Sequence, residues 1–295
     1  MFEIHAPDKF NEATLLGVFE SGTSAWHEAR ADSIGGSDIS TIMGLNPYES
    51  AYALWAKKTG KISDLVEENW AIRFGKAFES PILGLWSQQH PEYEVFTTGT
   101  YQDSLLPFRH ANPDALARHR ETGEWIVVEV KTARSTWDSV PVGYVAQVQH
   151  YMDILGLNQA VIVAVAGMTW YEHFVARDEF EIENQRIKAK AFMEAIFSDQ
   201  KPAWDGSEST YEAVRHQHPD IVDEEVEIEG LFNLSNLQAA YDEAANNLRQ
   251  AKSEVLHAMG NAKHAYCIIK GEKFRIASRQ ARKDGVPYLV IRKAK

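Results

Sequence analysis

Apolar residues recur at helical spacing over residues 51–59, after the turn signal Asn46-Pro47, and again over 70–89, just before Pro91. Both stretches predict amphipathic helices. Residues 94–101 and 108–116 read as strands, a turn follows at Glu121-Thr122-Gly123, and 125–131 is an apolar strand. Together these predict an antiparallel meander. Residues 143–155 return to helical spacing, 160–166 form a continuous apolar run suited to a buried strand, and 171–175 supply a partner for it. A helix over 182–197 closes this region, and 199–209, with Pro202 and Gly206, reads as a connector. Beyond it, 235–259 form one long helix with apolar Leu237, Tyr241, Ala244, Leu248 and Val255, and Ser235 is placed to cap its start. The rest reads as three short strands around Gly271 and Gly285. The expected class is mixed α/β, with a domain over 1–205, a boundary between about 200 and 225 and a smaller α+β extension over 220–295.

Composition narrows this picture. The 295 residues are 44% hydrophobic and 24% charged, as in a soluble globular protein. No apolar run is long enough for a membrane span, and Asp8, Glu12 and Glu20 argue against a signal peptide, so a cytoplasmic protein without membrane partners is expected. The single cysteine, Cys267, excludes an internal disulfide and a cysteine-built cluster. A formal charge of −12 is unfavourable for binding nucleic acid, but it is unevenly spread. Residues 263–295 hold ten Lys or Arg against Glu272 and Asp284, a local +8 that leaves −20 elsewhere.

The chemistry centres on Asn112-Pro113-Asp114 and, beyond a turn, Glu129-Val130-Lys131. Hydrolysis of a phosphodiester calls for a hard cation, and Mg²⁺ is held by a few carboxylates while keeping several waters. Asp114 and Glu129 on adjacent strands can supply them. Side chains alternate along a strand, so Glu129 and Lys131 share a face, and the Val130 carbonyl is a further ligand candidate. Upstream, Glu79 ends the run Phe74-Gly75-Lys76-Ala77-Phe78, whose apolar members are expected to pack inward and make an unpaired carboxylate costly. Downstream, Gln147 and Tyr151 share a helix face. Gly35-Gly36-Ser37 opens a short helix whose exposed N–H groups suit a phosphate, with Ser37 as cap or contact. Trp55, Trp70 and Trp86 are expected in the core, His216 and His218 on the surface, and Lys57 and Lys58 as solvated charges.

In this order the residues resemble the phage lambda exonuclease and YqaJ-like viral recombinase family. The likeness covers roughly 24–200 through Trp26-His27-Glu28-Ala29-Arg30, Ile34-Gly35-Gly36-Ser37-Asp38, Gly75 to Glu79, Pro113-Asp114, Glu129-Val130-Lys131 and Ala146-Gln147-Val148-Gln149-His150-Tyr151. It implies a PD-(D/E)xK core, a central mixed sheet flanked by helices. Glu79, Asp114, Glu129 and the Val130 carbonyl would bind metal, Lys131 would assist the water, and Gln147, with Tyr151, would support the site. Arg30 and Ser37 would anchor a 5′-phosphate. Read from its position alone, Trp26, one helical turn before Arg30, could stack on a terminal base or equally pack in the core. The implied activity is a Mg²⁺-dependent 5′→3′ exonuclease, with Mn²⁺ as a substitute. It would digest linear duplex DNA and pass the exposed strand to a single-strand annealing protein, working as a homo-oligomer, in the family a ring trimer. An endonuclease of the same core and a non-catalytic DNA-end binding protein are the alternatives.

Overall fold

The protein is described here by a computed structural model covering residues 5–19, 23–24, 30, 32–63, 69–230, 232–281, 283 and 285–291. The chain divides into two compact units, Met1–Ile221 and Val222–Lys295.

The first unit is built on a five-stranded sheet with the order β3-β6-β7-β8-β9, formed by Tyr93–Phe96, Ala115–His119, Trp125–Ala133, Gln159–Ala166 and Thr169–Ala176. Only the β7–β8 pair is parallel, and helix α4 (Val142–Leu155) makes the crossover between these two strands. Sitting between β6 and β8, β7 is buried from Ile126 to Val130, and its apolar run serves both faces of the sheet. Helix α3 (Trp70–Gln89) packs Ile82, Leu83 and Trp86 with Val128, Val161 and Val163. Helix α4 packs Val148, Met152 and Leu155 with Val127 and Ile162. A third cluster joins Ile39 of helix α1 (Gly36–Ile42), Trp55 of α2 (Ala51–Lys58), Phe192 of α5 (Glu179–Phe197) and Ala213 of α6 (Glu208–Gln217).

The strands preceding β7 do not form one meander. β4 (Thr100–Asp103) and β5 (His110–Ala111) leave β3 and β6 to join β1 (Lys9–Phe10) and β2 (Ala13–Gly17) in a second sheet of order β1-β2-β4-β5. Each expected long strand is therefore broken and shared between two sheets, which gives the segment before Asp114 a bend. The expected connector is also partly helical, since Ser207 caps α6 by accepting from Thr210 N. In the second unit, α7 (Phe232–Met259) is followed by the antiparallel sheet β10-β11-β12 (His264–Ile269, Glu272–Gln280, Tyr288–Ile291). Ser235 lies inside α7 rather than at its cap.

Candidate active site

Bend and strand bring the carboxylates together. Asp114 precedes β6, and its Oδ2 accepts the Val130 N–H at 2.6 Å, which ties it to the adjacent strand. Glu129 is 2% exposed. Its Oε1 accepts from Lys131 Nζ at 2.6 Å and from Gln147 Nε2 at 2.7 Å, and Gln147 Nε2 also reaches the Tyr151 hydroxyl at 2.9 Å. Lys131 Nζ lies 5.0 Å from the Tyr144 ring centre, so an aromatic face on α4 backs the ammonium.

The electrostatics follow from like charges in a dry place. Burial first, then the charges of Glu129 and Glu79, push the Asp114 carboxyl well above its usual range. Burial and Glu129 likewise push Glu79 up. Lys131 is raised: burial opposes its charge, but Glu129 and Asp114 outweigh it. Burial and Glu129 drive the Tyr151 hydroxyl well up, so it stays protonated. The centre is thus short of positive charge for its carboxylates. Glu129 Oε2 is buried without a hydrogen-bond partner among the described residues. Such an orphaned oxygen is costly unless another group meets it. Among the described residues no three His, Cys, Asp or Glu side chains are grouped as a metal cage. Mg²⁺ does not require one, because it binds through one or two carboxylates and retains water. The donor set here fits a hard cation.

Glu79 is half-buried, but its apolar neighbours do not pack inward. Phe74 and Phe78 are exposed and stack on each other at 4.2 Å, and Trp70, expected in the core, is 77% exposed. These three lie four residues apart on one stripe of α3. Gly75, one residue after Phe74, faces Thr132 of β7, where a Cβ would sit at an ordinary contact distance of 3.4 Å from the Thr132 hydroxyl. The stripe one residue earlier points away from the sheet, with Trp70, Phe74 and Phe78 exposed. Trp55 and Trp86 are buried as expected.

A second constellation adjoins the first. Arg30 Nη2 donates to Ser37 Oγ at 3.1 Å. Gly35, not Ser37, caps α1, and Asp38 accepts the Gly35 N–H at 3.0 Å. Ser37 is left exposed in the first turn. Lys58 is not a solvated charge. Its Nζ lies 2.9 Å from Asp38 and donates to the carbonyls of Arg30 and Ser33 at 2.9 and 2.6 Å. Against the cost of burial, Lys58 and then Arg30 hold Asp38 far below the usual carboxylate range. Lys57 pairs with Glu49 at 2.6 Å. The two constellations meet at Gly36, where a Cβ would fall 2.5 Å from the Tyr151 ring and 2.7 Å from Gln147 Cγ. Close backbone approach here requires glycine.

Sequence reasoning missed the support beneath this loop. His110 Nδ1 lies 2.8 Å from Ser33 Oγ, and a Cβ on Gly35 would fall 2.5 Å from its Nε2. Its carbonyl faces His150 Nε2 at 3.2 Å. Burial lowers both imidazoles to about 3, aided by Arg30 at His110 and by Arg109 at His150. Arg109-His110, just before Asn112-Pro113-Asp114, was the available signal. His216 and His218 are exposed. Trp26 lies outside the described residues. No helix among the described residues is long and apolar enough to cross a membrane.

Residues 25–158 match the YqaJ-like viral recombinase domain. A Bacillus subtilis (strain 168) protein described as uncharacterized protein YqaJ is 24% identical over 273 residues, 84% of this chain and 81% of its own length. Protein D345L of African swine fever virus (isolate Tick/Malawi/Lil 20-1/1983) is 50% identical over 60 residues, 19% of this chain and 16% of its own. Among solved structures, an alkaline exonuclease (LHK-Exo) from Laribacter hongkongensis superposes with a TM-score of 0.50 at 19% identity. The overlap covers 60% of this chain and 94% of that one. A second structure of LHK-Exo holds dAMP. At that identity the likeness shows the fold.

Proposed function

From the match of residues 25–158 to the YqaJ-like viral recombinase domain, we propose that the protein is a metal-dependent exonuclease that degrades linear double-stranded DNA from 5′-phosphorylated ends. The observation that carries the reading is Glu129: a buried carboxylate beside Asp114 with Lys131 and Gln147 on one oxygen and, among the described residues, no hydrogen-bond partner on the other. A structural ion pair would satisfy both oxygens. Asp114, Glu129 and the Val130 carbonyl, with Glu79 close by, would hold a divalent cation, Mg²⁺ or Mn²⁺. When bound, that cation polarises the phosphate and lowers the pKa of water.

The chain's own residues do the rest. The Lys131 ammonium stays protonated beside Glu129 and can donate to the phosphate oxygen that gains charge, or orient the attacking water. Gln147 fixes the Glu129 carboxylate, and Tyr151 fixes Gln147. Arg30 and exposed Ser37 offer a guanidinium fork and a hydroxyl to a terminal phosphate, and Gly36 holds that pair against Gln147 and Tyr151. An anchored end beside the hydrolytic centre favours an exonuclease over an endonuclease. The mononucleotide dAMP bound by LHK-Exo is what stepwise degradation of DNA releases. An exposed 3′ strand would be the substrate of an annealing protein, and an oligomer enclosing the duplex would make digestion processive. These two expectations rest on the family.

The test is Mg²⁺-dependent digestion of linear duplexes carrying a 5′-phosphate or a 5′-hydroxyl, with closed circular DNA alongside. Faster loss of the phosphorylated duplex and intact circles are expected. Equal rates on both ends would remove the anchor role of Arg30 and Ser37, and cut circles would favour the endonuclease.

A further inference from the structure

Helix α7 carries an apolar seam that its own unit leaves largely uncovered. Seven-residue spacing places Leu234, Tyr241, Leu248 and Val255 at one core position of a heptad and Leu237, Ala244, Ala251 and Ala258 at the other. Such a repeat marks a helix that pairs with another helix. Leu234, Leu237, Tyr241 and Leu248 are 63%, 59%, 69% and 50% exposed. Ala244, Ala251 and Ala258 are exposed too, and Val255 is half-buried. Propensity does not account for 28 helical residues that include Asn233, Asn236, Asn246 and Asn247, because most helical stability in proteins comes from packing an apolar face.

We propose that this seam binds the same seam of a second copy of the chain, with the two helices antiparallel. Side-chain volumes single out that arrangement. In an antiparallel register centred on Asn246, each layer joins the two heptad core positions. Leu234 of one helix meets Ala258 of the other, Tyr241 meets Ala251, Leu248 meets Ala244, and Leu237 meets Val255. Three of these four layer types set a large side chain against alanine, so the seam has even thickness, as close packing requires. A parallel pair in register would stack Tyr241 on Tyr241 and Ala244 on Ala244, alternating crowded layers with empty ones. Charge points the same way. Asp242 and Glu243 make residues 232–245 net −2, while Arg249 and Lys252 against Glu254 make 246–259 net +1. Antiparallel pairing sets unlike halves together, and parallel pairing sets like halves together.

The self-complementary seam is tested by measuring the mass of the full chain by light scattering. Wild type is expected at an even number of copies, which for a ring of three joined through this seam is six. Leu248→Lys and Ala244→Glu, each alone, are expected to halve that mass, whereas outward-facing Gln250→Lys leaves it unchanged. The double variant Ala244→Glu/Leu248→Lys is expected to recover the wild-type mass, because each glutamate then meets a lysine across the two-fold axis. Both positions are exposed within their own unit, so the substitutions do not disturb its core. A wild-type chain at single-copy mass would show that another part of the chain, or a different protein, covers the seam, and it would overturn the proposal. So would an unchanged mass for Leu248→Lys, or a double variant that stays at half mass.

Discussion

At the scale of single residues, the site depends on one carboxylate being under-served and one glycine being absent of side chain. Gly36 is the sharper case, since its missing Cβ is what lets α1 rest on Gln147 and the buried Tyr151 ring. Gly36→Ala should destabilise the chain by about 1–3 kcal/mol, the usual cost of overpacking. It should also lower nuclease activity, because Gln147 must move off Glu129. Denaturant unfolding and a digestion assay on the same preparation check both; a neutral substitution in both would show that the two constellations are not coupled. Glu129 and Lys131 were legible as neighbours because strand alternation puts both on one face of β7, whereas Asp114, just before β6, reaches them through a bend that alternation does not reveal. Lys58 was not legible. Nothing local distinguishes it from Lys57, and its burial follows from the packing of α2 beside α1, which brings it to Asp38.

Among elements, α4 carries the most structural demand: it presents Gln147 and Tyr151 to the carboxylates and is pinned near its end by Asp153. That single carboxylate accepts from Arg109, from Arg177 Nη2 at 3.0 Å and from Arg186 Nε at 2.9 Å. It thereby joins α4 to the segment entering β5, the end of β9 and α5. The cluster surrounds a cavity of about 350 Å³. Burial works against the Asp153 charge, yet its arginine hydrogen bonds and charges hold it below its usual range. Asp153→Asn leaves Arg109, 1% exposed, with Asp103 as its remaining carboxylate among the described residues, and should cost about 3–5 kcal/mol, the range for breaking a buried pair. Thermal unfolding reads this, and an unchanged midpoint would mean that Asp103 alone suffices. Helices α2, α3 and α4 were legible from periodicity because each has a long apolar stripe. The division of 94–116 between two sheets was not, because alternation marks a strand without naming its neighbour, and α6 was hidden behind Pro202 and Gly206. The exposed Trp70, Phe74 and Phe78 show the converse limit: aromatic spacing reveals a stripe and leaves open which side it faces.

For the whole molecule, charge is the property most open to measurement. His110 and His150 are neutral in the folded chain down to about 3, against 6.5 for an ordinary imidazole. Below about pH 6.5 the unfolded chain therefore takes up protons that the folded chain refuses, so stability present above that pH is lost as the pH falls. Asp114 and Glu79, raised in the folded state, act in the opposite sense over part of this range. A variant separates the two effects. The fall in stability between pH 6 and pH 4 should be shallower in His150→Gln than in wild type by about 1.4 kcal/mol per pH unit, the slope of one proton. Parallel slopes would mean that His150 is protonated in the folded state. The net charge of −12 misleads about function at this scale, as the site's character is set by a few buried groups.

If Asp114, Glu129 and Lys131 form a hydrolytic centre, purified Lys131→Ala should lose degradation of linear duplex DNA in Mg²⁺ while remaining folded, as unfolding measured on the same preparation will show. A folded variant whose rate falls by about 100-fold or more is expected, in keeping with the loss of a positioned charge at the reacting group. A folded variant that degrades the duplex at the wild-type rate would contradict it.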